Sequence, residues 1–123
     1  MARVLVVDDE PGVRESIRMI LRGEFEVVTA DGVDAAERAL ALQPADLVLL
    51  DLVMPGRDGF ALLDSLRKRG DAPPVLVLTA TRLDETAREA RARGASDCLR
   101  KPFEVETLRR RVRELLAPRA SAR

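Results

Sequence analysis

A chain of 123 residues, 46% hydrophobic and 34% charged, has room for one domain with its own core and the composition of a folded protein. Lys and Arg number 21 and Asp and Glu number 21, so no net charge draws it to nucleic acid or an anionic membrane. A single cysteine, Cys98, and the absence of histidine exclude internal disulfides, Cys/His zinc sites and Ser-His catalysis, and no apolar run approaches the ~20 residues of a membrane span.

Along the chain, short apolar runs alternate with segments of helical period. Val4 to Val7 is a continuous β-branched run, the pattern of a strand covered on both faces. Asp8, Asp9 and Glu10 follow, and Pro11 suits a first helical turn because its missing N–H would be unpaired there. Val13, Ile17, Ile20 and Leu21 then share one helical face. Phe25 to Thr29 gives a second strand, and Ala35, Ala36, Ala39, Leu40 and Leu42 the inner face of a second helix. Leu47 to Leu50 forms the third strand, and Leu62, Leu63 and Leu66 mark the third helix, with Gly70 as its left-handed stop. Val75 to Leu78 is the fourth strand, and Thr81 to Arg93 a fourth helix whose inner face is mostly alanine (Ala87, Ala90), stopped at Gly94. Asp97 to Arg100 is a weaker fifth strand, and Val105, Leu108, Val112, Leu115 and Leu116 define the last helix. Residues 1–116 are thus expected to form one domain, and 117–123 (APRASAR) a tail or the start of a linker.

Five strand–helix units joined by short connections imply parallel strands, right-handed crossovers and a doubly wound α/β sheet with helices on both faces. Ligands of such sheets bind beyond the carboxyl ends of the strands. Asp8, Asp9 and Glu10 follow the first strand, Asp51 the third, Thr79 the fourth and Lys101 the fifth. Carboxylates gathered within ~4–6 Å repel one another unless a cation intervenes. Oxygen ligands alone select a hard ion, and a small acidic cleft with room for water and phosphate suits Mg²⁺ better than Ca²⁺. Lys101, one of only two lysines beside abundant arginine, and Thr79 can then hold an incoming anion. A nucleophilic carboxylate, a metal and a cationic clamp are what phosphoryl transfer to an aspartate requires. Singly, Asp8-Asp9 reads as a loop start or helix cap, Asp51 as a turn residue and Lys101 as a surface charge; their conjunction at the same ends of separate strands is what carries the reading.

On these residues, the chain resembles a receiver domain of a bacterial two-component response regulator over nearly its whole length. The resemblance rests on VLVVDDEP at 4–11, LVLLDLVMPGRDG at 47–59, VLVLTA at 75–80 and KPF at 101–103. It implies a flavodoxin-like strand order of 2-1-3-4-5. It also implies that Asp51 is the phosphoacceptor, charged from a phosphohistidine on a sensor histidine kinase or phosphotransfer protein. Asp9 would bind Mg²⁺ directly, Asp8 mainly through water, and Val53 through its backbone carbonyl. Thr79 would bond a phosphoryl oxygen and move inward on activation. Lys101 would bridge phosphate and carboxylate, and Lys101-Pro102 would be a cis bond, which only X-Pro bonds adopt cheaply. Gly59, and to a lesser degree Gly56, would let the loop after Asp51 turn tightly. Such a domain is a cytoplasmic switch rather than a turnover enzyme, binds no nucleic acid or membrane itself, and signals through its fourth helix, fifth strand and fifth helix. The same face serves some members as a homodimer contact.

Two departures stand out. Cys98 occupies the position where receivers carry the Tyr or Phe that swings as the threonine moves, and a thiol cannot fill that volume. Thr107 occupies one acidic position of the dimer-forming charge pattern. Val53 and Thr81 flank the phosphoryl site, at positions that influence phosphate lifetime in the family. Met54 and Pro55 read as loop packing, Phe60 and Phe103 as core or loop anchors, and Arg109-Arg110-Arg111 as a solvated helix face flanked by Glu104, Glu106 and Glu114. A haloacid-dehalogenase-type phosphatase would want a second carboxylate where Val53 stands, and a flavodoxin-type loop would not place Asp8-Asp9-Glu10 against a phosphate. The tail fits either a stand-alone regulator or a receiver cut from a longer one, and its linker-like composition leans toward the latter.

Overall fold

In a computed structural model of the chain, residues 1–52, 59–70, 72–79 and 83–117 are described. The order is β1 (Arg3–Val7), α1 (Pro11–Leu21), β2 (Glu26–Ala30), α2 (Val33–Leu42), β3 (Leu47–Asp51), α3 (Gly59–Lys68), β4 (Val75–Thr79), α4 (Leu83–Ala92), β5 (Asp97–Arg100) and α5 (Val105–Leu116). All strand pairings are parallel, in the order β2-β1-β3-β4-β5.

The continuous apolar runs become strands because successive side chains enter two different cores. Leu5, Val7, Val48, Leu50, Val75, Val77 and Cys98 point to a core closed by α2, α3 and α4. Val4, Val6, Leu47, Leu49, Leu76, Leu78 and Leu99 point to the other, closed by Ile17 and Leu21 of α1 and Leu108 and Val112 of α5. Burying each large apolar side chain is worth roughly 1.5–3 kcal/mol, and the strands supply about half of the buried apolar residues. The core beneath α4 is thinner: Ala87, Ala90, Ala95 and Cys98 stand where leucines stand elsewhere.

Pro11 opens α1, and the backbone turns left-handed at Gly70 (φ 80°) and Gly94 (φ 110°), just past α3 and α4. Two expectations shift. β2 begins at Glu26 rather than Phe25, whose ring is buried in the α1/α5 core. Leu42, assigned to the inner face of the second helix, is 88% exposed. Two residues past the buried Leu40, it has rotated by about 200° around the helix axis and faces away from the core. The expected start of the fourth helix at Thr81, like Val53, Met54, Pro55, Gly56 and residues 118–123, lies outside the described residues.

The strand order reverses between β1 and β3, and there the connections leave for opposite faces of the sheet. The crevice at that switch point lies beyond the carboxyl ends of the two central strands.

Candidate functional site

Asp51 and Thr79 do not follow their strands but end them. Asp51 pairs with Leu78, and Thr79 with Arg100, which extends β3 and β4 one residue further than their apolar runs. Asp8 likewise prolongs β1, its N–H donating to the Ala30 carbonyl at 3.1 Å. The Lys101 N–H donates to the Thr79 carbonyl at 2.8 Å, which ties the last residue of β4 to the loop carrying the lysine. The sheet itself therefore sets the relative positions of these groups.

Asp8, Asp9 and Asp51 each present a carboxylate oxygen within 4.8 Å of the others. Asp8 (1% exposed), Asp51 (6%) and Thr79 (1%) are the buried polar side chains among the described residues, Asp9 is half-buried, and Glu10 is exposed. Lys101 Nζ donates to Asp8 Oδ2 at 3.1 Å and lies 3.6 Å from Asp51 Oδ2. Asp8 Oδ1 accepts from the Glu10 N–H at 2.9 Å, so this carboxylate also shapes the entry to α1, the loop-start role that the Asp8-Asp9 pair suggests on its own. Burial alone would lower the Lys101 pKa. The hydrogen bond to Asp8 and the charges of Asp51, Asp8 and Glu10 outweigh it and hold the ammonium above its ordinary value.

Three carboxylates facing one ammonium leave an excess of negative charge in a half-dry cup. Their oxygens suit a hard divalent ion: the ligand groups are all carboxylates, they converge, and Lys101 donates its hydrogen bond to one oxygen of Asp8. Just past Asp51, Leu52 meets the start of α3. The Gly59 N–H donates to the Leu52 carbonyl at 2.9 Å, and a Cβ on Gly59 would sit 2.6 Å from Leu52 Cα and 2.7 Å from the Asp51 carbonyl oxygen. Only glycine allows α3 to start this close to the aspartate.

Around the cup, Lys101-Pro102 is cis. Phe60 and Phe103 pack against the two cores. Cys98 is buried, 6% exposed, and its burial pushes the thiol pKa up; Arg91 acts against this and Asp97 with it. A protonated, enclosed thiol is a packing group, not a reactive one. Arg110 pairs with Glu114 along its own helix, as a solvated face should, whereas Arg109, besides pairing with Glu106, donates from Nε to the Ile20 carbonyl of α1 at 3.3 Å. Arg111 departs from that reading. It reaches β5, where Nη1 contacts Asp97 Oδ2 at 2.7 Å and the Cys98 carbonyl at 3.3 Å. Arg14, which belongs to none of the motifs above, also reaches the site: its Nη1 donates to the Asp8 carbonyl at 2.7 Å. The available signal was an arginine one helical turn into α1, directly after an acidic strand end.

The family model of the response regulator receiver domain matches residues 4–113. This chain belongs to that family. It is 39% identical over 120 residues to the DNA-binding dual master transcriptional regulator RpaA of Synechocystis sp., covering 94% of this chain and 49% of that protein. It is 42% identical to the response regulator MprA of Mycobacterium ulcerans, covering 93% and 50%. The chain thus spans about half the length of these relatives. Among solved structures, chemotaxis protein CheY4 of Vibrio cholerae superposes with a TM-score of 0.89 at 32% identity, covering 94% of this chain and 99% of that one. NtrX of Brucella abortus gives 0.88 at 38%, covering 94% and 27%. The receiver fold and membership of the two-component response regulators are therefore established, and no helix among the described residues is long and apolar enough to cross a membrane.

Proposed function

We propose that this receiver domain is a phosphorylation-driven switch in which Asp51 is the phosphoacceptor. The carrying observation is Lys101 Nζ at 3.1 Å from Asp8 and 3.6 Å from Asp51, inside a cup where three carboxylates converge. An Asp51 oxygen attacks the phosphorus of a phosphohistidine, and the histidine nitrogen leaves with the electrons of the broken P–N bond. Lys101 meets the charge of the arriving phosphoryl oxygens, and the Thr79 hydroxyl donates to one of them. Asp9 and Asp51, with Asp8 through water and the Val53 carbonyl, would hold Mg²⁺, which neutralises charge between the acceptor and the phosphoryl oxygens when bound.

The donor is a sensor histidine kinase or phosphotransfer protein. An open groove of ≈ 780 Å³ beside the site, lined by Pro11, Val13, Ile17, Pro102 and Phe103 with Lys101 at its edge, offers apolar surface for such a partner. The switch is cytoplasmic, turns over no separate substrate and contacts no nucleic acid itself. It signals through α4, β5 and α5, the face that would also carry a homodimer. Residues 1–116 form the switch. With Cys98 in place of an aromatic, the coupling of Thr79 to a swinging ring is absent or replaced by backbone movement.

Acetyl phosphate with and without Mg²⁺ tests this reading by intact mass. One phosphoryl adduct is expected, Mg²⁺-dependent, stable in acid, labile in base, and lost in Asp51→Asn. Continuous hydrolysis of a general phosphatase substrate would favour an enzyme with an aspartyl-phosphate intermediate instead.

A further inference from the structure

We infer that Arg14 is a positioning residue for the metal cup, an inference that rests on the Mg²⁺-dependent reading above. Within a strand, the N–H and C=O of one residue point to the same side. The Asp8 N–H makes the last rung of the β1–β2 ladder, donating to the Ala30 carbonyl at 3.1 Å. β2 ends at Ala30 and the chain leaves for α2, so no further residue of β2 meets the Asp8 carbonyl. A backbone acceptor stranded at the edge of a buried site is costly unless paired. Arg14 Nη1 supplies the missing donor at 2.7 Å, reaching back from the first turn of α1. Among the described residues, this is the hydrogen bond that the Arg14 side chain makes.

The carbonyl held in this way belongs to the peptide that joins Asp8 to Asp9. Fixing it fixes the plane from which Asp9 projects. Asp8 is meanwhile held by the Glu10 N–H on one oxygen and by Lys101 on the other. Two of the three carboxylates are thus oriented by second contacts, Asp8 directly and Asp9 through its peptide. Arg14 also carries a positive charge, and charge alone would oppose a cation in the cup. The two effects have opposite signs, which makes the inference testable.

Calorimetric titration of MgCl₂ into the full chain separates them. Arg14→Met keeps the apolar stem and removes both donor and charge. If positioning dominates, Mg²⁺ affinity falls about tenfold, the scale seen when outer-shell partners of metal ligands are removed. Arg14→Lys, which keeps a donor and the charge, recovers part of the loss. Autophosphorylation of Arg14→Met by acetyl phosphate should need more Mg²⁺ yet approach the wild-type rate at saturation, a split that general loosening of the fold would not give. Unchanged or tighter Mg²⁺ binding in Arg14→Met, with wild-type binding intact, overturns the role of Arg14. Wild type that binds no Mg²⁺ overturns the functional reading itself.

Discussion

Cys98 lies within β5 and Lys101 directly follows it, and the two titrate in the same direction for different reasons. Burial works against the Lys101 charge, but Asp8, Asp51 and Glu10 prevail and raise its pKa; burial raises that of Cys98 outright. For both, the folded value lies above the unfolded one, so their contribution to stability is complete below the unfolded pKa and lost as pH climbs through the folded pKa. Unfolded values are about 8.5 for cysteine and about 10.4 for lysine. With no histidine in the chain, neither these groups nor an imidazole titrates near neutrality. The urea midpoint is therefore expected to be flat from about pH 6 to 8 and to fall above about pH 9, Cys98 acting first. Cys98→Val, close in volume and unable to ionise, should delay the decline until Lys101 deprotonates. A midpoint that rises with alkali, or a variant that declines in step with wild type, would contradict this assignment.

At the scale of elements, α4 is weakly anchored by composition, since among its described side chains it lays two alanines, Ala87 and Ala90, into the core. Its C-terminal end is nonetheless clasped to α3. Arg93 pairs with Asp64 at 3.1 Å and Glu89 at 3.0 Å and stacks 4.7 Å above the Phe60 ring, while Arg67 Nη1 donates to the Ala92 carbonyl at 2.9 Å. Half-exposed ion pairs and a cation–π contact are together worth about 1 kcal/mol. Amide exchange should accordingly be slower around Ala90 to Ala95 than around Glu85 to Arg88, and Arg93→Ala should cost the former about fivefold in protection. Equal loss along the whole helix would show that the clasp is not local. The elements themselves were legible in the amino-acid pattern because doubly buried strands read as unbroken apolar runs and alternate with 3.6-period helices. The positions of Asp8, Asp9, Asp51, Thr79 and Lys101 were legible because the carboxyl edge of a parallel sheet is where loops converge. The contacts of Arg14, Arg93 and Arg111 were not. An arginine side chain reaches several positions in three dimensions, and tertiary geometry rather than local pattern selects the carbonyl or carboxylate it meets.

Across the whole molecule charge sums to zero, yet it is distributed so that one edge of the sheet concentrates carboxylates around a single lysine. Stability and function are in tension there. Two apolar cores hold together a cup whose acids repel, and on the Mg²⁺ reading a bound cation offsets that repulsion. A ligand that binds only the native state adds RT ln(1 + [L]/Kd), or about 2.7 kcal/mol at a hundredfold excess over Kd, which for a domain of this size is near a ~10 °C rise in Tm. In EDTA, Asp9→Asn should melt above wild type, because one of the mutually repelling charges is gone. With saturating MgCl₂ the order should reverse, since wild type gains the binding increment and the variant gains little of it. Thermal unfolding of both proteins, with and without Mg²⁺, reads the two effects in one series. If Asp9→Asn melts below wild type even in EDTA, the Asp9 carboxylate contributes a native contact greater than its repulsion, and the cup is held closed by its own hydrogen bonds rather than awaiting a cation.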